Sequence, residues 1–136
     1  MCIRDRVNKH QSQNLDLSAI DDLISEEKRL HNTSQNDEHT KLSCDFHLTL
    51  AELCGNKYIV ESLKPLIPLS TLAASVYSNP ESSFCSYAEH SDLIQAIKSN
   101  DLNRASRSIK KHLDNCVKSL DFKKTIRNRS YSNIFS

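Results

Sequence analysis

Three histidines, His47, His90 and His112, stand where helical periodicity asks for an apolar side chain, and each belongs to a different segment of the chain. Burying an imidazole without a partner costs about 1 to 3 kcal/mol, so three such positions need compensation. Neutral imidazole is the commonest protein ligand for divalent transition metals, and helices packed as a bundle bring such ligands together in their core. The same pattern is also met by three structural core histidines that each find a hydrogen bond, and periodicity alone does not separate the two. His10, His31 and His39 fall in polar or boundary surroundings.

Other reactive groups give weaker signals. Cys44 precedes His47 by three residues and could share its side of the helix as a ligand, or serve as a buried thiol. Glu89 adjoins His90, but neighbours on a helix point about 100° apart, so Glu89 is expected in solvent and not as a catalytic base. The sequence contains no HExxH pair, glycine-rich phosphate loop or nucleophile elbow. Lys110 and Lys111, with Lys118, read as a solvated face. With no general base beside the histidines, a metal-dependent enzyme is the weakest of the functional readings, and the chain is read as a non-enzyme.

The elements that must carry these residues are helical. Leu17, Ile20, Leu23, Ile24 and Leu30 recur at helical spacing, which predicts a helix over 17–31, with Ser18 and Asp21 as its start signal. After an Asn/Ser/Thr-rich loop, a second helix over 37–54 places Leu42, Ser43, Phe46, His47, Leu50 and Cys54 on one face. Gly55, the only glycine, suits a left-handed helix end, and Asn56 suits the N-cap of the next helix. That third helix points Ile59, Leu63, Leu66, Ile67, Leu72, Ala73, Val76 and Tyr77 inward, and Pro65 and Pro68 predict a kink or short break in it. Asn79-Pro80 ends it and 81–86 is a loop. From about Tyr87, His90, Leu93, Ile94 and Ile97 share a face of a short helix ending near Asn100. Asn100 or Asp101 then caps a last helix with Leu102, Ala105, Ile109, His112, Leu113, Cys116, Val117 and Leu120 inward. No segment alternates as a half-buried strand does, so the fold class is all-α, an antiparallel helical bundle.

Composition sets the frame. At 136 residues with 38% hydrophobic and 26% charged residues and a net charge of +1, the chain is one ordinary globular domain, neither disordered nor strongly nucleic-acid-binding. Apolar runs break well short of the roughly 18 residues of a membrane span, so no membrane helix is expected, and the lack of a secretory leader implies a cytoplasmic protein. The five cysteines are odd in number and widely spaced, which suggests thiols and not a disulfide framework. Met1 to Arg6 look like a translated sequencing adapter, so residues 1–11 are read as non-native or disordered, 12–121 as the domain, and 122–136, with Lys123, Lys124, Arg127 and Arg129, as a basic tail.

Three ordered blocks carry a resemblance. Phe46-His47-Leu48-Thr49-Leu50-Ala51-Glu52-Leu53-Cys54-Gly55-Asn56 resembles the FHxxLAExxGN signature of the FCD domain, the C-terminal effector-binding domain of FadR-subfamily GntR transcriptional regulators. Glu89 to Ile97 resembles its EHxxIxxAI element, and Asp101 to Ala105 followed by Lys111-His112-Leu113 its gDxxxA…HL element. The resemblance implies an antiparallel bundle around a cavity, here missing its first helix, and a divalent metal (zinc, nickel or manganese) held by three histidines and an aspartate. His47, His90 and His112 match the histidines. The aspartate position holds Ser43, a poorer ligand, and Leu69 stands where some relatives carry an arginine. It further implies a small effector, commonly an organic acid, with Ser43 and Asn56 as candidate contacts. A homodimer is implied too, and operator DNA is bound only through a winged helix-turn-helix domain absent from this chain. The expected function is thus a truncated ligand-sensing and dimerisation domain; the alternative is a helical protein-interaction module with structural histidines and no metal.

Overall fold

The computed structural model describes residues 16–31, 33, 36–77 and 85–122. They form five helices, α1 (Ser18–Leu30), α2 (Asn36–Leu53), α3 (Lys57–Tyr77), α4 (Tyr87–Lys98) and α5 (Leu102–Lys118). Among the described residues there is no strand, and the all-α bundle expected from periodicity is what forms. The expectations for residues 1–11, for the Asn79-Pro80 stop and for the tail beyond Phe122 lie outside the described residues.

Helix α1 packs against α2 and α4, α4 against α5, and α2 against α3. The ends of α3 and α5 meet where Asp121 N donates to the Tyr77 carbonyl at 2.8 Å. The core between α1, α2, α4 and α5 is built on Ile20, Phe46, Leu50, Leu93, Ile94 and Ala96. All of these except Ala96 lie on the apolar faces that the spacing marked. They leave water because burying each large one is worth about 1.5 to 3 kcal/mol.

Local chemistry sets the corners. Gly55 has φ 64°, a left-handed value that costs glycine little, and its N–H reaches the Glu52 carbonyl at 2.9 Å. Asn56 then accepts from Tyr58 N at 3.0 Å, capping α3 as expected. Between α4 and α5, Asn100 takes the left-handed position (φ 56°), while Asn100 N and Asp101 N bond back to the carbonyls of Ile97 and Ala96 at 3.0 and 2.9 Å. Asp101 is the cap of α5, accepting from Arg104 N at 2.9 Å. At the head of α1 it is Asp16, not Ser18, whose side chain accepts, from Ser18 N at 3.0 Å.

Helix α3 corrects two expectations. It runs unbroken through Pro65 and Pro68. Both prolines are exposed, as are Glu61 and Lys64, so the carbonyls that lose their donors face water and the helix survives. Its inward face is also narrower than the spacing suggested: Ile59, Leu66 and Leu72 are exposed, Leu63, Ile67, Ala73, Val76 and Tyr77 are half-buried, and only Ala74 is buried. The reason is packing, because among the described helices α3 packs chiefly on α2. Leu113 and Val117 of α5, expected to point inward, are exposed too. With 21 residues and a window of mean hydropathy 1.2, α3 is long and apolar enough by composition to cross a membrane, which its charged interruptions had concealed.

Candidate metal centre

Three helices carry one imidazole each to a common point. His47 comes from α2, His90 from α4 and His112 from α5, with ring centroids 5.0 Å (47 to 90), 5.1 Å (47 to 112) and 4.7 Å (90 to 112) apart. His90 and His112 are each only 1% exposed. Phe46 stacks on the His90 ring at 4.0 Å, which fixes its plane.

Two carboxylates orient these rings. His90 Nδ1 lies 2.8 Å from Glu27 Oε2, and the other Glu27 oxygen accepts from Ser43 Oγ at 2.5 Å. His112 Nδ1 lies 2.9 Å from Glu89 Oε2, and Asn115 Nδ2 donates to the second Glu89 oxygen at 2.5 Å. With each Nδ1–H spent on a carboxylate, the Nε2 lone pair is left facing inward, an arrangement that raises the basicity of a metal-binding imidazole. His90 Nε2 is buried and has no hydrogen-bond partner. His112 Nε2 and His47 Nε2 stand 3.3 Å apart.

A thiol joins them. Cys85, just before α4, brings Sγ to 3.8 Å from His112 Nε2 and 4.0 Å from His47 Nε2. The ligand atoms of His47, Cys85, His90 and His112 all lie within 4.8 Å of one another. A tetrahedral ion with nitrogen at about 2.0 to 2.1 Å and sulfur at about 2.3 Å sets N···N near 3.3 Å and N···S near 3.6 Å. The nitrogen pair already has that separation, the sulfur is a few tenths of an ångström outside it, and the orphaned His90 Nε2 is accounted for; the residues fit a divalent metal.

Without a metal the protons at the centre are unevenly held. Burial, aided by the neighbouring His90 and His112, pulls the His47 pKa down to about 3, so its imidazole is neutral near pH 7. Burial also acts to lower His112, but hydrogen bonding to Cys116 and Glu89 outweighs it and the net shift is upward. The hydrogen bond between Cys85 and Cys116, whose sulfurs are 3.8 Å apart, holds the Cys85 proton in place, with burial adding to the effect, and draws Cys116 down.

Beside the centre a cavity of about 180 Å³ opens between α2, α3 and α5, with His47, His112, Cys85 and Cys116 in one wall and Leu63, Leu66 and Ile67 in another. Among the described residues no lysine or arginine lines it. Ser43 does, though its hydroxyl is given to Glu27. Asn56 is not among the lining residues; its amide oxygen caps α3. Cys44 lines the cavity 3.2 Å from Thr71 Oγ1 and stands outside the His/Cys group. Leu69 is 61% exposed and does not line it.

Glu89 corrects the expectation of a solvated side chain. The angular offset from His90 that argued against it turns it toward α5, where it grips His112 and Asn115. Glu27 and Cys85 were missed. Glu27 follows Ile20 by seven residues and Ile24 by three, so an acid on the inner face of α1 was readable. Cys85 comes from an irregular segment, where periodicity carries no information.

The family model of the FCD domain matches residues 7–115. The chain belongs to the FCD domain family. No curated protein and no solved structure matches it. The three signature blocks of this FCD domain are the segments that deliver His47, His90 and His112 to the centre. The match supports placing it with the FCD domains of GntR-family regulators.

Proposed function

We propose that this FCD domain is the cytoplasmic ligand-sensing and dimerisation domain of a FadR-type GntR regulator, in which His47, His90 and His112 hold a divalent metal and a small effector of the organic-acid class fills the adjoining cavity. The observation that carries this reading is the pair of carboxylate-anchored imidazoles, His90 on Glu27 and His112 on Glu89, whose inward nitrogens meet His47 at the cavity wall. A bound metal supplies a Lewis-acidic point for an effector carboxylate. Since no lysine or arginine among the described residues lines the cavity, Ser43, Ser70, Thr71 and His39 offer polar contacts, and Leu63, Leu66 and Ile67 cover the effector's carbon skeleton. Asn56 bears on the effector through α3, whose first turn it caps.

An effector that prefers one packing of α3 on α2 shifts the population toward it, by no more than the difference in affinity. In the regulator that contains this domain, operator DNA is read by a separate winged-helix domain and the domain itself does no chemistry. Exposed Leu69 and Leu72 on α3 suit contact with a second copy. The same exposed helix favours a second reading, a helical interaction module whose histidines are structural.

Thermal denaturation of the full chain against small mono- and dicarboxylates, with and without zinc, tests the sensor. A carboxylate at 100 times its Kd adds about 2.7 kcal/mol of stability, and the gain is expected only with metal present. A metal-loaded domain that no carboxylate stabilises contradicts the sensor, and a metal-free one that refuses metal supports the interaction module.

A further inference from the structure

The three imidazoles leave a tetrahedral ion one ligand short. Ser43 is placed to reach the centre, but its hydroxyl donates to Glu27 Oε1 at 2.5 Å, and both carboxylates nearby, Glu27 and Glu89, are turned to Nδ1 atoms on the outer side of the rings. Among the described residues, the remaining donor that converges with the nitrogens is sulfur.

We infer that Cys85 is the fourth ligand, giving a zinc-class ion three imidazole nitrogens and one thiolate sulfur, an inference that rests on the metal-sensing reading above. Its Sγ is 3.8 and 4.0 Å from two of the three imidazole nitrogens, and a shift of a few tenths of an ångström brings it to the tetrahedral edge. Its position makes that shift feasible, because Cys85 is held on a bend ahead of α4 and not within a helix. The independent sign that a ligand belongs here is His90 Nε2, buried, without a partner, and belonging to the same group of converging ligand atoms. Cys116 is the rival sulfur, 3.6 Å from His112 Nε2, but it sits one helical turn after His112 on α5 and is outside the group whose four ligand atoms converge. Its sulfur lies 3.8 Å from that of Cys85, with which it shares a hydrogen bond.

Coordination converts the Cys85 thiol to a thiolate and releases its proton to solvent as the S–metal bond forms. A borderline-soft donor set of one thiolate and three imidazoles selects zinc and cobalt(II), and it disfavours manganese, which prefers oxygen.

Cobalt(II) is the probe, titrated into the reduced, metal-free full chain. The expected spectrum has intense tetrahedral visible bands and a near-ultraviolet sulfur-to-cobalt charge-transfer band. Cys85→Ser is expected to abolish the charge-transfer band and weaken zinc by at least the roughly 10- to 100-fold that loss of an outer-shell partner costs, while Cys116→Ser keeps the band. Cys85→Asp, which restores an anionic oxygen, is expected to retain zinc without the band, so a poorly folding serine variant does not decide the matter. Zinc is also expected to protect Cys85 from alkylation in the native chain, read by peptide mass spectrometry. Cobalt bound with no sulfur band, or a band lost in Cys116→Ser and kept in Cys85→Ser, overturns the assignment of Cys85 while leaving the sensor reading intact. No cobalt or zinc bound at all overturns both.

Discussion

Glu27 shows how one buried side chain sets up a site it never enters. Fully buried on α1, it accepts from Ser43 and holds His90 Nδ1. Replacing it with alanine strands two buried polar groups, and Glu27→Ala is expected to cost about 1 to 3 kcal/mol for each group left without a partner in urea denaturation. Glu27→Gln keeps an acceptor and a similar shape, so it is expected to unfold closer to wild type yet to bind zinc about 10- to 100-fold more weakly, because a neutral amide no longer raises the basicity of His90. Wild-type zinc affinity in Glu27→Gln would show that the anchor is structural only. At this scale the sequence was legible where periodicity applied. It placed His47, His90 and His112 on three inner faces, but Glu89, judged only by its offset from His90, was assigned to solvent because the position of α5 beside it is a tertiary fact. Cys85 left no trace in any repeat.

At the scale of elements, the corners were readable because their chemistry is local. Gly55 takes φ 64°, and Gly55→Ala is expected to lose about 1 kcal/mol or somewhat more in a denaturation midpoint. An unchanged midpoint would mean that the corner relaxes to a right-handed turn. The α4 and α5 pair is clamped by Asp92, which accepts from Ser108 Oγ at 2.6 Å and pairs with Arg104. The Ser108 hydrogen bond, then Arg104, holds the Asp92 carboxyl below its ordinary 3.8. As pH falls the unfolded chain takes up that proton first, so the contribution is complete above the unfolded value and disappears as pH drops through the folded one. The Asp92 side chain is 47% exposed, so its worth is at most the roughly 0 to 1 kcal/mol of a surface pair. Asp92→Asn is expected to narrow the difference in stability between pH 6 and pH 3 by that amount, and an identical pH profile would remove the clamp. The course of α3 was not legible. Two prolines argued for a break, but whether a freed carbonyl is costly depends on which side of the helix meets water, and that is set by the neighbours.

For the whole molecule, the bundle class followed from five amphipathic segments and the absence of alternation, and the arrangement around the cavity did not. Periodicity gave α3 a wide inner face, while in the fold Leu69 and Leu72 are each 61% exposed. Covering them with a second copy makes solution mass concentration-dependent. Leu69→Glu with Leu72→Glu is expected to leave a helical monomer in sedimentation where the parent chain forms a dimer, and a parent chain that is monomeric at every concentration would contradict dimerisation through α3.

The centre itself is tested most directly by native mass spectrometry of the purified full chain after zinc addition and buffer exchange, alongside His90→Ala. One zinc per chain in the parent and none retained in His90→Ala is the expected result. A parent chain that keeps no metal, or a His90→Ala variant that keeps one per chain, contradicts a metal held where His47, His90 and His112 meet.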